Sequence, residues 1–391
     1  MDEVLRDLRI RKAEQQPDWP DPQQVARVGD TLAAGPALVR AHDVGVLRDA
    51  LARVVAGEAL VIQAGDCAED PGECTPADVS RKVALLDLLA GTLRMNAHRP
   101  VIRAGRIAGQ FAKPRSSRTE LVADVQLPTF RGHMVNGPEP DPETRRPDPL
   151  RILTCYMAAS EIMRHLGWQG EAPLGDPLGP PVWSSHEALL LDYEIPMLRR
   201  DGNGKLFLGS THWPWIGERT RQLDGAHVAL LAGVSNPVGC KVGPSMSAGE
   251  LVALCERLDP ARLPGRLTLI SRMGADLISE RLPRLVEAVR DAGHPAVWLT
   301  DPMHGNTFTA PDGSKTRHVG TVSHEVRRFQ EAVNGAGGVC GGLHLETTPS
   351  DVTECVSCEA DLGHVGDKYT TFCDPRLNPR QALSVVSTWN V

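Results

Sequence analysis

The sequence predicts an α/β fold, a (β/α)8 TIM barrel with a short N-terminal helical extension, and three observations carry that expectation. Short apolar runs of strand type recur eight times, near residues 60, 101, 182, 207, 239, 268, 297 and 343, mostly separated by segments with apolar residues at helical spacing. Alternating strand and helix implies a parallel sheet, and eight such units over ~250 residues or more make the barrel. Seven of the eight runs end in charged or ligand-type residues, the third being the exception, and a barrel gathers its site at the C-terminal ends of its strands. A doubly wound open sheet places its ligand at one switch point and has no need of so many polar strand ends.

The 391 residues divide into an N-terminal arm with helices, 1–58, and a catalytic-size barrel, 59–391. The charged fraction, 23%, is ordinary, and a net charge of −7 argues against nucleic-acid binding through phosphate contacts. No run of ~18 apolar residues could span a membrane. The start, Met1 to Arg6, has no apolar stretch of secretory type. Nine cysteines without such a signal read as reduced thiols, so a cytoplasmic location is expected. Aromatics make up only 4%, leaving Val, Leu, Ile and Ala to build the core.

In chain order, Pro17, Pro20 and Pro22 break the first segment, and Val44 to Val55 has helical spacing through Val44, Leu47, Leu51 and Val54. Ala59 to Ala64 is a strand that ends in Gly65-Asp66-Cys67-Ala68-Glu69. Val79 to Met95 is amphipathic, with Val83, Leu86, Leu89 and Leu93 on one side. The strand Pro100 to Ala104 runs into a polar loop through Arg118. Residues 127–149 read as loop, and 150–166 as helix. A second Pro/Gly-rich loop, 170–181, leads to a weak strand at 181–184 and a helix through Leu198. Leu206 to Gly209 reads as the fourth strand, with Glu218 and Arg219 in its outgoing loop.

Helix is expected again at 226–234, 249–258, 276–292 and around 323–333. Between these lie strands at 237–243, carrying Lys241, at 267–270, followed by Arg272, at 296–299, and at 341–346, ending in Glu346. The strand at 296–299 must stop near Pro302, which has no N–H to donate, and the chain then presents His304.

Two sets of side chains carry chemistry. Cys67, His304, Glu346 and Asp374 offer a thiol, an imidazole and two carboxylates, a mixed S/N/O set suited to a borderline divalent ion such as Mn²⁺, Fe²⁺, Co²⁺ or Zn²⁺. Arg106, Lys113, Arg115, Arg219, Lys241 and Arg272 sit at or beyond strand ends. A cation beside a buried strand needs an anion, and Arg binds carboxylate and phosphate through paired hydrogen bonds. This set therefore calls for substrates with two or three anionic groups. Cys355 and Cys358 have CxxC spacing, which could be redox-active or bind a structural zinc, but no second pair follows. Gly335-Ala336-Gly337-Gly338 precedes a strand, the reverse of a dinucleotide-binding order.

Six segments are specific in combination: Gln63–Glu69 (QAGDCAE), Gly109–Ser116 (GQFAKPRS), Gly217–His227 (GERTRQLDGAH), Asn236–Pro244 (NPVGCKVGP), Asp301–Thr307 (DPMHGNT) and Cys373–Asn378 (CDPRLN). From about residue 55 onward the chain closely resembles the type II 3-deoxy-D-arabino-heptulosonate 7-phosphate (DAHP) synthases. The resemblance implies a metal-dependent TIM-barrel transferase, 3-deoxy-7-phosphoheptulonate synthase. It condenses phosphoenolpyruvate with erythrose 4-phosphate and releases phosphate, the first step of the shikimate pathway.

The resemblance further implies that Cys67, His304, Glu346 and Asp374 ligate the metal, Mn²⁺ first among candidates. Arg106 and Lys113 fall on positions that hold the phosphoenolpyruvate carboxylate. Arg219, Lys241 and Arg272 fall on those that grip its phosphate, with Glu218 alongside. Arg115 and Ser116 match the erythrose 4-phosphate site. Lys113, Glu218 and His304 are then the catalytic candidates, with Lys113 the proton donor. Larger relatives carry extra N-terminal residues and extra helices near 150–205. Those helices form aromatic-amino-acid sites and oligomer contacts in regulated members, so their lack here implies an enzyme without feedback control, of the kind found in phenazine and other secondary-metabolite pathways. A homodimer or higher homo-oligomer is expected separately. An aminoDAHP synthase would share every motif, and a non-catalytic barrel partner is the reading from another class. Cys373, next to Asp374, implies a disulfide with Cys67 as a further possibility.

Overall fold

The computed structural model describes residues 6–8, 10–122, 125–169 and 181–390. Eight strands close into a barrel: β1 (Leu60–Gly65), β2 (Val101–Arg106), β3 (Val182–Glu187), β4 (Trp213–Ile216), β5 (Val238–Val242), β6 (Leu267–Ser271), β7 (Val297–Thr300) and β8 (Cys340–Glu346). The order around the barrel is β1-β8-β7-β6-β5-β4-β3-β2, so each strand lies beside its neighbours in sequence. The pairings described within it are parallel. This is the (β/α)8 architecture expected from the alternating pattern.

Two strand assignments differ from the sequence reading. The apolar run Leu206–Leu208 is not a barrel strand; it pairs antiparallel with Leu198–Arg200. The fourth barrel strand is Trp213-Pro214-Trp215-Ile216, whose proline and polar flanks disguise it as a loop. Its strand character comes from tertiary burial, with Trp213 and Trp215 both inside the protein, and from register with β3, Ser185 opposite Trp213 and Glu187 opposite Trp215. The expected helix up to Leu198 shrinks to one turn, Leu191–Glu194. The third strand runs on to His186 and Glu187, so it too ends in ligand-type residues and is no exception.

The chain packs as two units. The first comprises Met1–Val44, Ala68–Val79 and Ile107–Asn236, and the second Gly45–Cys67, Ser80–Arg106 and Pro237–Val391. In the first, α1 (Pro22–Ala34) starts on Asp21, whose carboxylate accepts from the N–H groups of Gln23 and Gln24, with proline at the first position where no donor is missed. A hairpin, Thr119–Val122 with Val125–Pro128, precedes α4 (Leu150–His165). The loop expected at 170–181 lies outside the described residues save Pro181.

The intervening helices α2 (Ala41–Val55) and α3 (Pro76–Ala97) flank β1 in sequence. In the second unit, α6 (Ala248–Leu258) begins with a capping box between Ser247 and Glu250. It is preceded in the chain by α5 (Ala226–Ala232) of the first unit and followed by α7 (Ile278–Asp291), α8 (Val319–Gly335) and α9 (Pro379–Val386). On α8, Val322, Val326, Phe329 and Val333 are fully buried at helical spacing, each worth roughly 1.5–3 kcal/mol by area. Strand register sets the level of the site: Gly65, the last residue of β1, pairs with Arg106 on one side and Glu346 on the other. A side chain at Gly65 would strike the Arg106 carbonyl at 2.7 Å, so glycine permits this approach.

Candidate active site

In the second unit, four donors arrive from separate segments. Cys67 follows β1, Glu346 ends β8, His304 follows β7, and Asp374 comes from the loop before α9. Single donor atoms of Cys67, Glu346 and Asp374 all lie within 4.8 Å of one another. The Cys67 thiol donates to Asp374 Oδ2 at 3.6 Å, and His304 Nε2 lies 3.9 Å from Glu346 Oε1. A thiol, an imidazole nitrogen and two carboxylates converging in this way fit a borderline divalent cation. Cys67 and Cys373 are both thiols here, as are the other seven cysteines.

The ring of His304 is held by Asp301, whose Oδ2 lies 2.7 Å from Nδ1. A carboxylate on one ring nitrogen leaves the other to face a metal, the usual way a ligating histidine is oriented. The same Oδ2 accepts from Lys241 Nζ. Burial opposes the charge on Asp301, yet His304 and Lys241 hold its carboxyl well below the usual range. Lys241 is pulled down to about 8 by burial, against the pull of Asp301 and with Arg106 and Arg272 nearby.

Glu346 is fully buried between two guanidinium groups, Arg106 Nη2 at 3.2 Å from Oε1 and Arg317 Nη2 at 3.0 Å from Oε2. Arg106 also donates to the carbonyls of Asp66 and Cys67, at 3.0 and 3.4 Å, and contacts His344 Nε2 at 2.9 Å. Burial, with Lys241 and Arg106, keeps the His344 imidazole neutral. Its Nδ1 therefore carries the proton toward Gln63 Oε1, at 2.6 Å. Arg106 thus locks the end of β1 to β8 with several donors at once. Lys315 Nζ reaches Asp374 Oδ1 at 3.1 Å.

Several of these supports escaped sequence reading. Arg317 and Lys315 look like ordinary loop cations, and nothing local to them signals a carboxylate partner. Asp66 and Arg376, inside two of the specific motifs, pair at 2.7 Å, with Lys82 3.2 Å from Asp66 and Glu354 2.7 Å from Arg376. Asn306 bonds the Pro302 carbonyl at 2.8 Å and receives Ala275 N–H at 3.0 Å. Thr307 Oγ1 accepts from Arg317 at 3.0 Å. Cys355 is buried, its thiol pushed up to about 12 by burial, while Cys358 is exposed.

The remaining candidates belong to the first unit. Lys113 is buried, with its N–H bonded to the Arg131 carbonyl at 2.8 Å. Arg115 is half-buried and pairs with Glu120 at 3.1 Å, and Ser116 is exposed. Glu218 accepts from Arg221 at 2.8 Å, and Arg219 beside it is exposed.

A parallel barrel with thiol, imidazole and carboxylate donors at its strand ends, and buried lysine and arginine around them, is the arrangement of an enzyme that takes a divalent cation and anionic substrates. The chain belongs to the Class-II DAHP synthetase family, whose pattern matches residues 4–175 and 179–388. It is 57% identical over 389 residues to a probable phospho-2-dehydro-3-deoxyheptonate aldolase of Pseudomonas fluorescens, covering 100% of this chain and 97% of that one. It is 40% identical to the phospho-2-dehydro-3-deoxyheptonate aldolase of Streptomyces coelicolor, covering 95% and 93% of the two chains. A solved phospho-2-dehydro-3-deoxyheptonate aldolase from Francisella tularensis shares the fold, with a TM-score of 0.52 at 12% identity over 99% of this chain and 94% of that one.

Proposed function

We propose that this chain is a DAHP synthase that condenses phosphoenolpyruvate with erythrose 4-phosphate and water, yielding DAHP and inorganic phosphate. The observation that carries the reading is the convergence of Cys67, Glu346 and Asp374, with His304 Nε2 3.9 Å from Glu346 Oε1, within a chain of this family. These four residues hold a divalent ion, Mn²⁺ first among Mn²⁺, Co²⁺, Fe²⁺ and Zn²⁺. When bound, the ion supplies Lewis-acid polarisation of an aldehyde oxygen.

The chain's own residues do the rest. Lys241, Arg272 and Arg219 neutralise the phosphoenolpyruvate phosphate, with Glu218 beside them, and Arg106 and Lys113 orient its carboxylate. Arg115 and Ser116 take the phosphate of erythrose 4-phosphate. C3 of phosphoenolpyruvate forms the new bond to the aldehyde carbon, and Lys113 Nζ delivers the proton that the new hydroxyl needs. Water adds at C2 and releases a proton that replaces the one Lys113 gave up. The C2–O bond to phosphate then breaks as the hemiketal hydroxyl gives its proton to the departing phosphate and becomes the C2 ketone. Asp301 keeps His304 in one tautomer throughout. Two phosphates and a carboxylate account for the cations at the strand ends.

Among the described residues no helix is long and apolar enough to cross a membrane. The enzyme is cytoplasmic, works as a homodimer or larger homo-oligomer, and escapes inhibition by Trp, Phe or Tyr. The deciding assay is phosphate release from phosphoenolpyruvate with and without erythrose 4-phosphate, after EDTA and after return of each metal. Release should need both substrates and return with Mn²⁺; release without the sugar phosphate, or none with any metal, overturns the reading.

A further inference from the structure

We propose that Glu69 is the positioning residue for the loop that bears Lys113, Arg115 and Ser116, an inference that rests on the substrate roles given to those three above. After β2 the chain turns at Ala108, whose φ of +65° lies in the left-handed region. A residue with a Cβ adopts that conformation only where its surroundings impose it. Here the imposing group is visible. The N–H groups of Ala108, Gly109 and Gln110 converge on the Glu69 carboxylate at 3.0, 2.9 and 2.7 Å. Three successive amides aimed at one point form an anion-binding nest, and the chain fills it with its own carboxylate.

The clamp has further points of attachment. Glu69 N–H donates to the Gln110 carbonyl at 2.9 Å, so side chain and backbone grip the same turn from one residue. The Glu69 carbonyl in turn meets His133 Nδ1 at 3.1 Å. Glu69 is fully buried, so its bonds are not diluted by water. Beyond the nest, Gln110 Nε2 bonds the Ala112 carbonyl at 3.2 Å, and Gln110 Oε1 accepts Glu187 N–H at 3.0 Å. The next residue is Lys113, whose N–H reaches the Arg131 carbonyl at 2.8 Å. The Glu69 carboxylate therefore sets the direction in which the substrate loop leaves the turn, without touching substrate itself.

The test is Glu69→Gln, whose amide NH₂ would face the nest's N–H donors. Amides of the 107–113 peptide should exchange hydrogen faster, and kcat/KM for erythrose 4-phosphate should fall about 100-fold, the scale of a 1 Å misplacement. Mn²⁺ stoichiometry by equilibrium dialysis should stay at the wild-type value. Ala108→Gly, which takes a positive φ without strain, should return about ten-fold of the loss in the Glu69→Gln background and change the wild type by less than about three-fold, the ordinary scale for a site outside the chemistry. Unchanged exchange at 107–113, kinetics like the wild type, or a loss that falls with metal content and ignores Ala108→Gly would each overturn the assignment. If Glu69→Gln does not fold, Glu69→Asp goes through the same measurements. Wild-type protein that releases no phosphate from the two substrates would overturn the proposed function instead, and the exchange result would still decide whether Glu69 holds the loop.

Discussion

Asp301→Asn isolates the group that holds both His304 and Lys241. The Asp301 carboxylate is completely buried, 2.7 Å from His304 Nδ1, and the same oxygen accepts from Lys241. Asparagine keeps the shape and one acceptor oxygen but removes the charge that both partners share. Loss of a group that orients a metal ligand costs about 10–100-fold in metal affinity, which is roughly 1.4–2.8 kcal/mol. Lys241 suffers separately. Burial already draws it to about 8, and Asp301 is the first influence holding it up, so without that carboxylate the ammonium loses its proton nearer neutral pH. Competition titration of Mn²⁺ against a chelator reads the first effect, and the phosphoenolpyruvate KM at pH 7 reads the second. A variant with an Mn²⁺ Kd within about two-fold of the wild type and an unchanged KM would refute the account, since it would lie below the smallest expected effect.

Three other outcomes follow from the same geometry. Lys241→Ala or Arg272→Ala should raise the phosphoenolpyruvate KM or abolish turnover while the protein stays folded; unchanged steady-state kinetics would remove both residues from the phosphate site. Gly342→Ala should cost about 3 kcal/mol or more in urea unfolding. Its Cβ would land 1.9 Å from the Val61 carbonyl at a φ of +137° in the seam between β1 and β8, and a wild-type midpoint would refute this. Glu325, on α8, is pushed up to about 8 by burial, while Asn306 and Gly274 draw it partly back. A carboxyl raised in the folded state contributes fully below the unfolded-chain value and loses its contribution as pH rises toward 8. Glu325→Gln should therefore flatten the fall in unfolding free energy between about pH 5 and pH 8, a span on the order of a few kcal/mol; parallel pH profiles for the two proteins would exclude it.

Much of the fold was legible because barrel strands leave a local mark. A strand enclosed on both faces is built mostly of apolar residues, and β1, β5, β6 and β7 are short, mostly apolar segments buried over four or five consecutive residues. β4 does not, because Trp213-Pro214-Trp215 becomes a strand only through burial and its register with β3. The candidate donors Cys67, His304 and Glu346 stand out in the sequence because each follows an apolar run at a strand end. The loop cations that hold Glu346 and Asp374 do not. Arg317 bonds Glu346 and Lys315 bonds Asp374 across long stretches of chain, and no local spacing distinguishes those cations from others on the surface.

By itself, then, the sequence determined the alternation of strand and helix, the places where the chain must turn, and the residue types able to ligate a metal or meet a phosphate. These follow from side-chain polarity, from the missing N–H of proline and from hydrogen-bonding capacity, which are properties of each residue and its neighbours. The tertiary structure alone decided which partner each carboxylate meets. Cys67 and Asp374 are 307 residues apart and come within 3.6 Å only when the barrel closes. Asp301 and Asp374 are chemically the same side chain. One serves a histidine and a lysine and the other faces a thiol, because burial and strand register give them different partners.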